Sequence, residues 1–144
     1  MGSGSSGIYG ALQINTTGSS NTAFGNQALA ANTTASNNTA VGKNALFVNT
    51  TCGDNVAIGR ETLDANTTGA NNVAVGSVAL GANTTASNNT ALGDGALALN
   101  TTVSGLTAVG SNAMTVSTSA VECVAVGAYA LDATTSGGYN TVVG

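Results

Sequence analysis

The feature that most constrains this chain is a repeat of 17 residues that runs through nearly all of it. One unit, residues 38–54, reads NTAVGKNALFVNTTCGD, and residues 9–144 hold eight such units with nothing left over. A fixed period of this kind is the signature of an array in which each repeat stacks on its neighbours. We therefore predict one repeat domain over 9–144, preceded by a disordered, vector-derived leader over 1–8.

Five columns of residues keep this period, and we predict that they form structural ladders. The glycine of the T/V-A-V-G run recurs at Gly25, Gly42, Gly59, Gly76, Gly93, Gly110 and Gly127. The first asparagine of an Asn-Thr-Thr triplet recurs at Asn15, Asn32, Asn49, Asn66, Asn83 and Asn100. A leucine recurs at Leu29, Leu46, Leu63, Leu80 and Leu97. A β-branched residue two positions after a Thr or Val stands at Val41, Ile58 and Val75. A second asparagine column stands at Asn21, Asn38, Asn55, Asn72, Asn89 and Asn140.

Each unit contains two short apolar pieces, a T/V-A-V-G run and an A-L run, separated by corners rich in Gly and Asn. This pattern is typical of strands and turns, because a helix needs an apolar stripe over ten or more residues. We therefore predict one coil with two short strands per unit. The chain is predicted to be all-β, a parallel β-solenoid of eight 17-residue coils, roughly 38 Å long if the coils are about 4.8 Å apart.

Stacking of identical coils accounts for the unusual composition. Charged residues are only 6 % of the chain, and a charge at a repeated position would lie about 5 Å from its own copy. Asparagine columns, in contrast, can pair their amides along the axis. The recurring glycine fits a corner with positive φ or a close approach between backbones.

The run Asn55-Val56-Ala57-Ile58-Gly59, echoed by residues 72–76, resembles the head repeats of trimeric autotransporter adhesins. The resemblance implies a left-handed parallel β-roll, association of three rolls into a homotrimer, and adhesion at a cell surface. The Asn-Thr-Thr corner is also similar to repeats of phage and viral tail fibres. Both resemblances imply an extracellular fibre, on a cell surface or a virion, that meets an unidentified host protein or glycan.

An oligomer is also expected from the residues themselves. Each coil offers about two large aliphatic side chains, and this is little apolar material to offset the entropy of ordering 17 residues. Alternation in the T/V-A-V-G run places the first and third residues on one face and Ala on the other. Both faces are apolar enough to be buried, one inside the roll and one against another chain, and the sequence leaves open which is which.

The sequence predicts no enzyme, and no catalytic, cofactor-binding or metal-binding residues. There is no His, and the acidic residues are scattered at Asp54, Glu61, Asp64, Asp94, Glu122 and Asp132. A net charge of −4 with two basic residues excludes nucleic acid, and no apolar run is long enough for membrane insertion. Cys52 and Cys123 fall four coils apart, about 19 Å, which is too far for a disulfide within the chain.

Two alternative functions remain open on the sequence. The first is a subunit that stacks head to tail along the solenoid axis into filaments, because neither end of the array carries a capping segment. The second is an ice-binding solenoid, since Thr columns on a flat face can order water. Adjacent threonines such as Thr16 and Thr17 count against it, because adjacent residues of a strand point to opposite faces.

Overall fold

The computed structural model describes residues 10–144, and the leader predicted for 1–8 lies outside these residues. Within them the chain forms no helix and eight strands of three residues each. The strands, in chain order, are β1 (Thr22–Phe24), β2 (Thr39–Val41), β3 (Val56–Ile58), β4 (Val73–Val75), β5 (Thr90–Leu92), β6 (Thr107–Val109), β7 (Val124–Val126) and β8 (Thr141–Val143).

All eight strands belong to one parallel sheet whose spatial order follows the chain order. Each strand pairs with the strand one repeat later without slippage, so that Ala40 lies opposite Ala57 and Ala57 opposite Ala74. A parallel neighbour reached after every 17 residues means that the chain makes one full coil per repeat. The predicted all-β parallel β-solenoid is thereby confirmed.

The prediction of two strands per coil is wrong, because the A-L segment forms a turn. Its leucine adopts a left-handed conformation, with φ of 51° at Leu46 and Leu63 and 53° at Leu97. An extended strand cannot pass through a residue in this region. The coils are nevertheless bonded here, since the Leu29 N–H donates to the Ala45 carbonyl at 3.0 Å and the Leu46 N–H to Thr62 at 3.0 Å.

The repeated glycine has the backbone that the sequence predicts. Gly42 has φ of 134° and Gly59 of 140°, a region that residues with a side chain rarely adopt. A Cβ atom on Gly42 would also overlap the carbonyl oxygen of Gly59 in the next coil. Positive φ and close backbone approach therefore both apply at this column.

The core is a narrow column of alanine and leucine. The middle Ala of β2 to β7 is fully buried, and so are Leu29, Leu46, Leu63, Leu80, Leu97 and Met114. Small side chains suit this interior because one coil of 17 residues encloses little volume. The first and third residues of each strand point outward, and this settles which face of the strand lies inside the roll.

Candidate functional site

The asparagines of the Asn-Thr-Thr triplets, called here the corner asparagines, form an amide ladder inside the roll. Asn32, Asn49, Asn66, Asn83 and Asn100 are fully buried. The Nδ2 groups of the first four donate to the Oδ1 atom of the preceding coil, at 2.8 Å from Asn32 to Asn15, 3.1 Å from Asn66 to Asn49 and 2.9 Å from Asn83 to Asn66. The Asn100 side chain bonds to Val103 of its own coil instead. The axial pairing predicted for this column is confirmed over coils one to five.

The second column, called here the strand asparagines because each directly precedes a strand, bonds differently. Here the Oδ1 atom accepts the backbone N–H of the next coil, at 3.1 Å between Asn38 and Asn55 and 3.0 Å between Asn72 and Asn89. Direct amide pairing is seen between Asn72 and Asn55, at 3.1 Å. The predicted amide ladder is therefore replaced for the most part by a side-chain-to-backbone ladder.

The two columns meet at one carbonyl in each of five successive coils. The carbonyl of Ala86 accepts the amide N–H of Asn83 at 3.1 Å and that of Asn72 at 3.0 Å. The same double contact recurs at Ala35, Cys52, Gly69 and Val103. Each of these five carbonyls is thus bonded both to an asparagine of its own coil and to one of the preceding coil. The ladder ends at Asn83, whose buried Oδ1 atom has no hydrogen-bond partner.

Several of the corner asparagines belong to sequences that formally accept N-linked glycans. The side-chain amides of Asn32, Asn49, Asn66, Asn83 and Asn100 are fully buried and hydrogen-bonded, so they are inaccessible in the folded roll. Asn37 and Asn88, which precede strand asparagines in N-N-T sequences, are exposed.

The outward residues of the strands form a surface along the whole roll, called here the strand face, with Thr or Val at the first position of each strand and an apolar residue at the third. It consists of the first and third residue of each strand, and it carries Phe24 at 75 %, Ile58 at 39 %, Leu92 at 37 % and Val143 at 76 % exposure. Val41 and Val75 are half-buried by their neighbours in the column. The ladder predicted at Val41, Ile58 and Val75 exists, but it lies on the outside of the roll.

A second apolar column precedes the corner asparagines and is called here the side strip. Six residues of each coil separate it from the preceding strand. Ile14 is 48 % and Leu99 54 % exposed, and the alanines and valines between them are half-buried. The strip comprises Ile14, Ala31, Val48, Ala65, Ala82, Leu99, Val116 and Ala133. At its first coils it opens into a groove of about 240 Å³ lined by Ile14, Ala30, Ala31 and Phe47.

The threonines of the Asn-Thr-Thr triplets lie in a bend and not in a strand. Thr16 and Thr17 are both exposed, so the expectation that they point to opposite faces is wrong. The first Thr of the triplet bonds to the next coil, with the Thr16 hydroxyl donating to the Thr33 carbonyl at 2.8 Å and Thr67 to Thr84 at 2.9 Å. A bend turns consecutive side chains toward solvent together, and the sequence argument against an ice-binding face therefore loses its basis.

Charged groups do not gather into a cluster within residues 10–144. Arg60 forms an ion pair with the adjacent Glu61 at the surface, and no group of three or more His, Cys, Asp or Glu in this range could hold a metal. Burial raises the pKa of the Asp64 carboxyl, and the nearby Glu61 raises it further, while backbone N–H groups and Arg60 oppose the shift. Cys52 and the buried Cys123 are both free thiols.

The columns at positive φ are the structural residues that the sequence pattern did not reveal. Besides the leucines, the residue before each strand asparagine is left-handed, including Asn37, Asn71 and Asn88 with φ of 58° to 61°. Asn and Asp tolerate this region better than other residues with a side chain. The recurrence of Asn, Asp and Gly at this position was the available signal.

The comparisons with known proteins found no matching protein-family model, no similar curated protein and no similar solved structure. Within the described part of the chain there is also no helix of the length and apolarity needed to cross a bilayer. The class that the fold defines is therefore a tandem-repeat β-solenoid.

Proposed function

We propose that this chain is a structural and adhesive repeat segment of an extracellular trimeric fibre, an adhesin head or a tail-fibre shaft. In this role a left-handed roll holds or presents the region that contacts a protein or glycan on a host surface. The proposal assigns no catalytic, cofactor-binding or metal-binding residue. Its resemblance to trimeric adhesin heads rests on the strand motif and the corner glycine described above.

The observation that carries the proposal is the strand face. Contiguous apolar patches of about 300–600 Å² on soluble proteins are often functional binding surfaces. The strand face measures roughly 38 Å by 10 Å for eight strands of three residues, or about 400 Å². Burial of this face between copies explains why both faces of the T/V-A-V-G run are apolar.

The stiffness of the roll supports a fibre. Each coil is bonded to the next through its strand and its A-L turn, as at Thr39 to Asn55 and Leu46 to Thr62. Most coils are also bonded through the corner, as at Thr33 to Thr50. Bonds on several sides of the coil oppose bending in each direction. A rod that keeps its shape can hold a binding region away from the surface that bears it.

The first test is the mass of the particle and its binding to cells. We expect light scattering coupled to size exclusion to give three times the chain mass of 13.7 kDa. We also expect the labelled trimer to bind a panel of bacterial and animal cells more tightly than a monomeric variant, because three linked sites bind with avidity. Ile58→Asp, on the strand face, supplies the monomeric control. Glycosidase and protease treatment of the cells separates a glycan receptor from a protein receptor. A monodisperse monomer, or equal binding by trimer and Ile58→Asp, would contradict the proposal.

The ice-binding alternative is favoured by one observation, the outward Thr and Val column of the strands. Thr39, Thr90 and Thr107 occupy the same register position of the sheet, with Val56 and Val73 between the first two. If this face orders water, purified protein will show thermal hysteresis, and Thr90→Tyr will abolish it. The fibre proposal predicts no hysteresis.

The filament alternative is favoured by the strand order, since β1 and β8 are the edge strands of the sheet within residues 10–144. Unpaired edges bind other strands readily. Electron micrographs at high concentration distinguish long axial stacks from discrete short particles.

A further inference from the structure

One residue of the strand face differs from all the others in size. Phe24, at the end of β1, is the one aromatic residue among the eight strands of residues 10–144 and is 75 % exposed. The equivalent residues of the next coils are Val41, Ile58 and Val75. An exposed aromatic ring on an apolar face is the kind of anchor that dominates protein interfaces.

A groove of matching character lies on the side strip of the same chain. Its walls are Ile14 and Phe47, its floor is Ala30 and Ala31, and its volume is about 240 Å³. The alanines at the floor create the space, since the flanking coils place larger residues in the same two columns. If an apolar ring enters this groove, the ring and the groove are both removed from contact with water.

The ring and the groove lie at the same height along the axis. One coil takes 17 residues and advances about 4.8 Å, so height follows residue number. Phe24 falls between Ile14 and Ala31 in the chain, and therefore between them in height, within about half a coil of the centre of the groove. Two copies placed side by side without an axial shift bring Phe24 of one to the groove of the other.

A second copy of this chain is the occupant that fits both surfaces. The strand face and the side strip both run the length of the roll with the same axial repeat. Only a partner with that repeat contacts every coil in the same way. A two-fold dimer through the strand face buries roughly 400 Å² on each copy, half of what a stable partner contributes. A ring in which each copy uses both the strand face and the side strip gives every copy two contacts instead of one and leaves neither surface open to water.

We propose that Phe24 inserts into the groove formed by Ile14, Ala30, Ala31 and Phe47 of the adjacent copy. The strand face of one roll then packs on the side strip of the next. The inference rests on the proposed trimer and specifies its contact. Because two different surfaces meet, the contact is heterologous, and it closes into a ring when there is no axial shift. Three copies give three equal contacts with none left open.

The test uses two variants that each break one half of the contact. Phe24→Asp removes the anchor and leaves the groove intact, whereas Ala31→Asp blocks the groove and leaves the anchor intact. The matched control is Val143→Asp, at the same column and with 76 % exposure, seven coils from the level of the groove. Circular dichroism of every variant must match the parent, which separates loss of contact from loss of fold.

Light scattering and sedimentation equilibrium then report the assembly. We expect Phe24→Asp and Ala31→Asp each to weaken association by roughly 30-fold or more, as loss of an interface anchor does, while Val143→Asp remains a trimer. A mixture of the two monomeric variants should recover a heterodimer, because one intact anchor meets one intact groove.

Three results would overturn the inference. A trimeric Phe24→Asp overturns this contact and leaves the proposed fibre intact. A parent dimer that persists in Ala31→Asp indicates a two-fold contact through the strand face alone. If the parent chain is a monomer, both this contact and the trimer on which it rests are contradicted.

Discussion

The coils that carry both asparagine columns differ from the last coils in how their corners are held. At Asn66 one buried side chain donates to Asn49 at 3.1 Å and to Gly69 at 2.9 Å, and accepts from Asn83 at 2.9 Å. Ser117 occupies the corner asparagine column two coils after Asn83. Its buried hydroxyl has no hydrogen-bond partner. The fold continues through both regions, so the backbone ladder maintains the coil and the asparagines determine how firmly it is held.

The second column shows the same contrast. Asn72 receives and donates hydrogen bonds of 3.0 to 3.1 Å with Asn55, Ala86 and Asn89. Cys123 replaces it three coils later, with weak contacts of 3.5 Å from its thiol to two carbonyls. A thiol is a poorer donor and acceptor than an amide. The account therefore predicts a gradient of stability that falls from coils two to five toward coil eight.

The largest effect should come from a charge in the leucine column. Leu80 is fully buried in coil five, and Leu80→Asp places an unpaired charge there at a cost of about 3–5 kcal/mol or more. We expect loss of the β-type circular dichroism spectrum. Leu131→Asp, in the half-buried last coil, should lower the melting temperature by only a few degrees. Equal losses in the two variants would contradict the gradient.

The strand face offers a check on this assignment. Val75 shares coil four with buried Asn72 but points outward and is half-buried. The Asp carboxylate in Val75→Asp can therefore remain hydrated, and we expect a folded chain with impaired assembly. Unfolding as complete as that of Leu80→Asp would show that the outward assignment is wrong.

Removal of one corner asparagine should have the next largest effect. Asn66→Ala leaves the buried Asn49 Oδ1 atom and one buried amide N–H of Asn83 without a partner. We expect a loss of about 2–4 kcal/mol in the free energy of unfolding. Ser117→Ala removes a hydroxyl that is already unpaired and should change that free energy by less than about 0.5 kcal/mol. Urea denaturation of both variants gives the comparison, and similar midpoints would contradict it.

Restoring the columns should raise stability by a smaller amount. In Ser117→Asn the new amide can donate to Asn100 Oδ1 and to the Ala120 carbonyl, as the other corner asparagines do. We expect a gain of about 0.5–1.5 kcal/mol, as for one net hydrogen bond. The exposed Ser111→Asn in the same coil is the control and should leave the urea midpoint unchanged. A loss of stability in Ser117→Asn would mean that the last coils lack the space for the ladder.

The smallest effect concerns Asp64, whose pKa burial raises above its ordinary value of 3.8. The folded state therefore binds the proton more tightly than the unfolded state, and stability from this group falls as pH rises through the folded pKa. Asp64→Asn should melt slightly higher than the parent at pH 7, with a difference that shrinks toward pH 4. Asp132→Asn, exposed in the same column, is the control. A difference in melting temperature that grows on acidification would contradict a raised pKa of Asp64.

The repeat period alone predicts the solenoid, the parallel register and the buried leucine and corner asparagine columns. It does so because a coil that stacks on itself must place equal residues above one another. The sequence did not reveal that the A-L piece is a turn, since leucine in a left-handed conformation contradicts its ordinary preference. Nor did it tell which face of T/V-A-V-G is inside, because both faces are apolar. The groove at Phe47 was equally hidden, as it arises from side chains of three different coils.

Residue-resolved hydrogen–deuterium exchange tests the central claim most directly. The account predicts slow exchange that repeats with the 17-residue period, at the strand, turn and corner amides that bond to the next coil. Protection should be strongest from Asn38 to Asn89, where both asparagine columns are complete, and should decline beyond Ser117. Uniform protection along the roll, or stronger protection in the last two coils, would contradict the claim that the asparagine columns determine how firmly the coils are held.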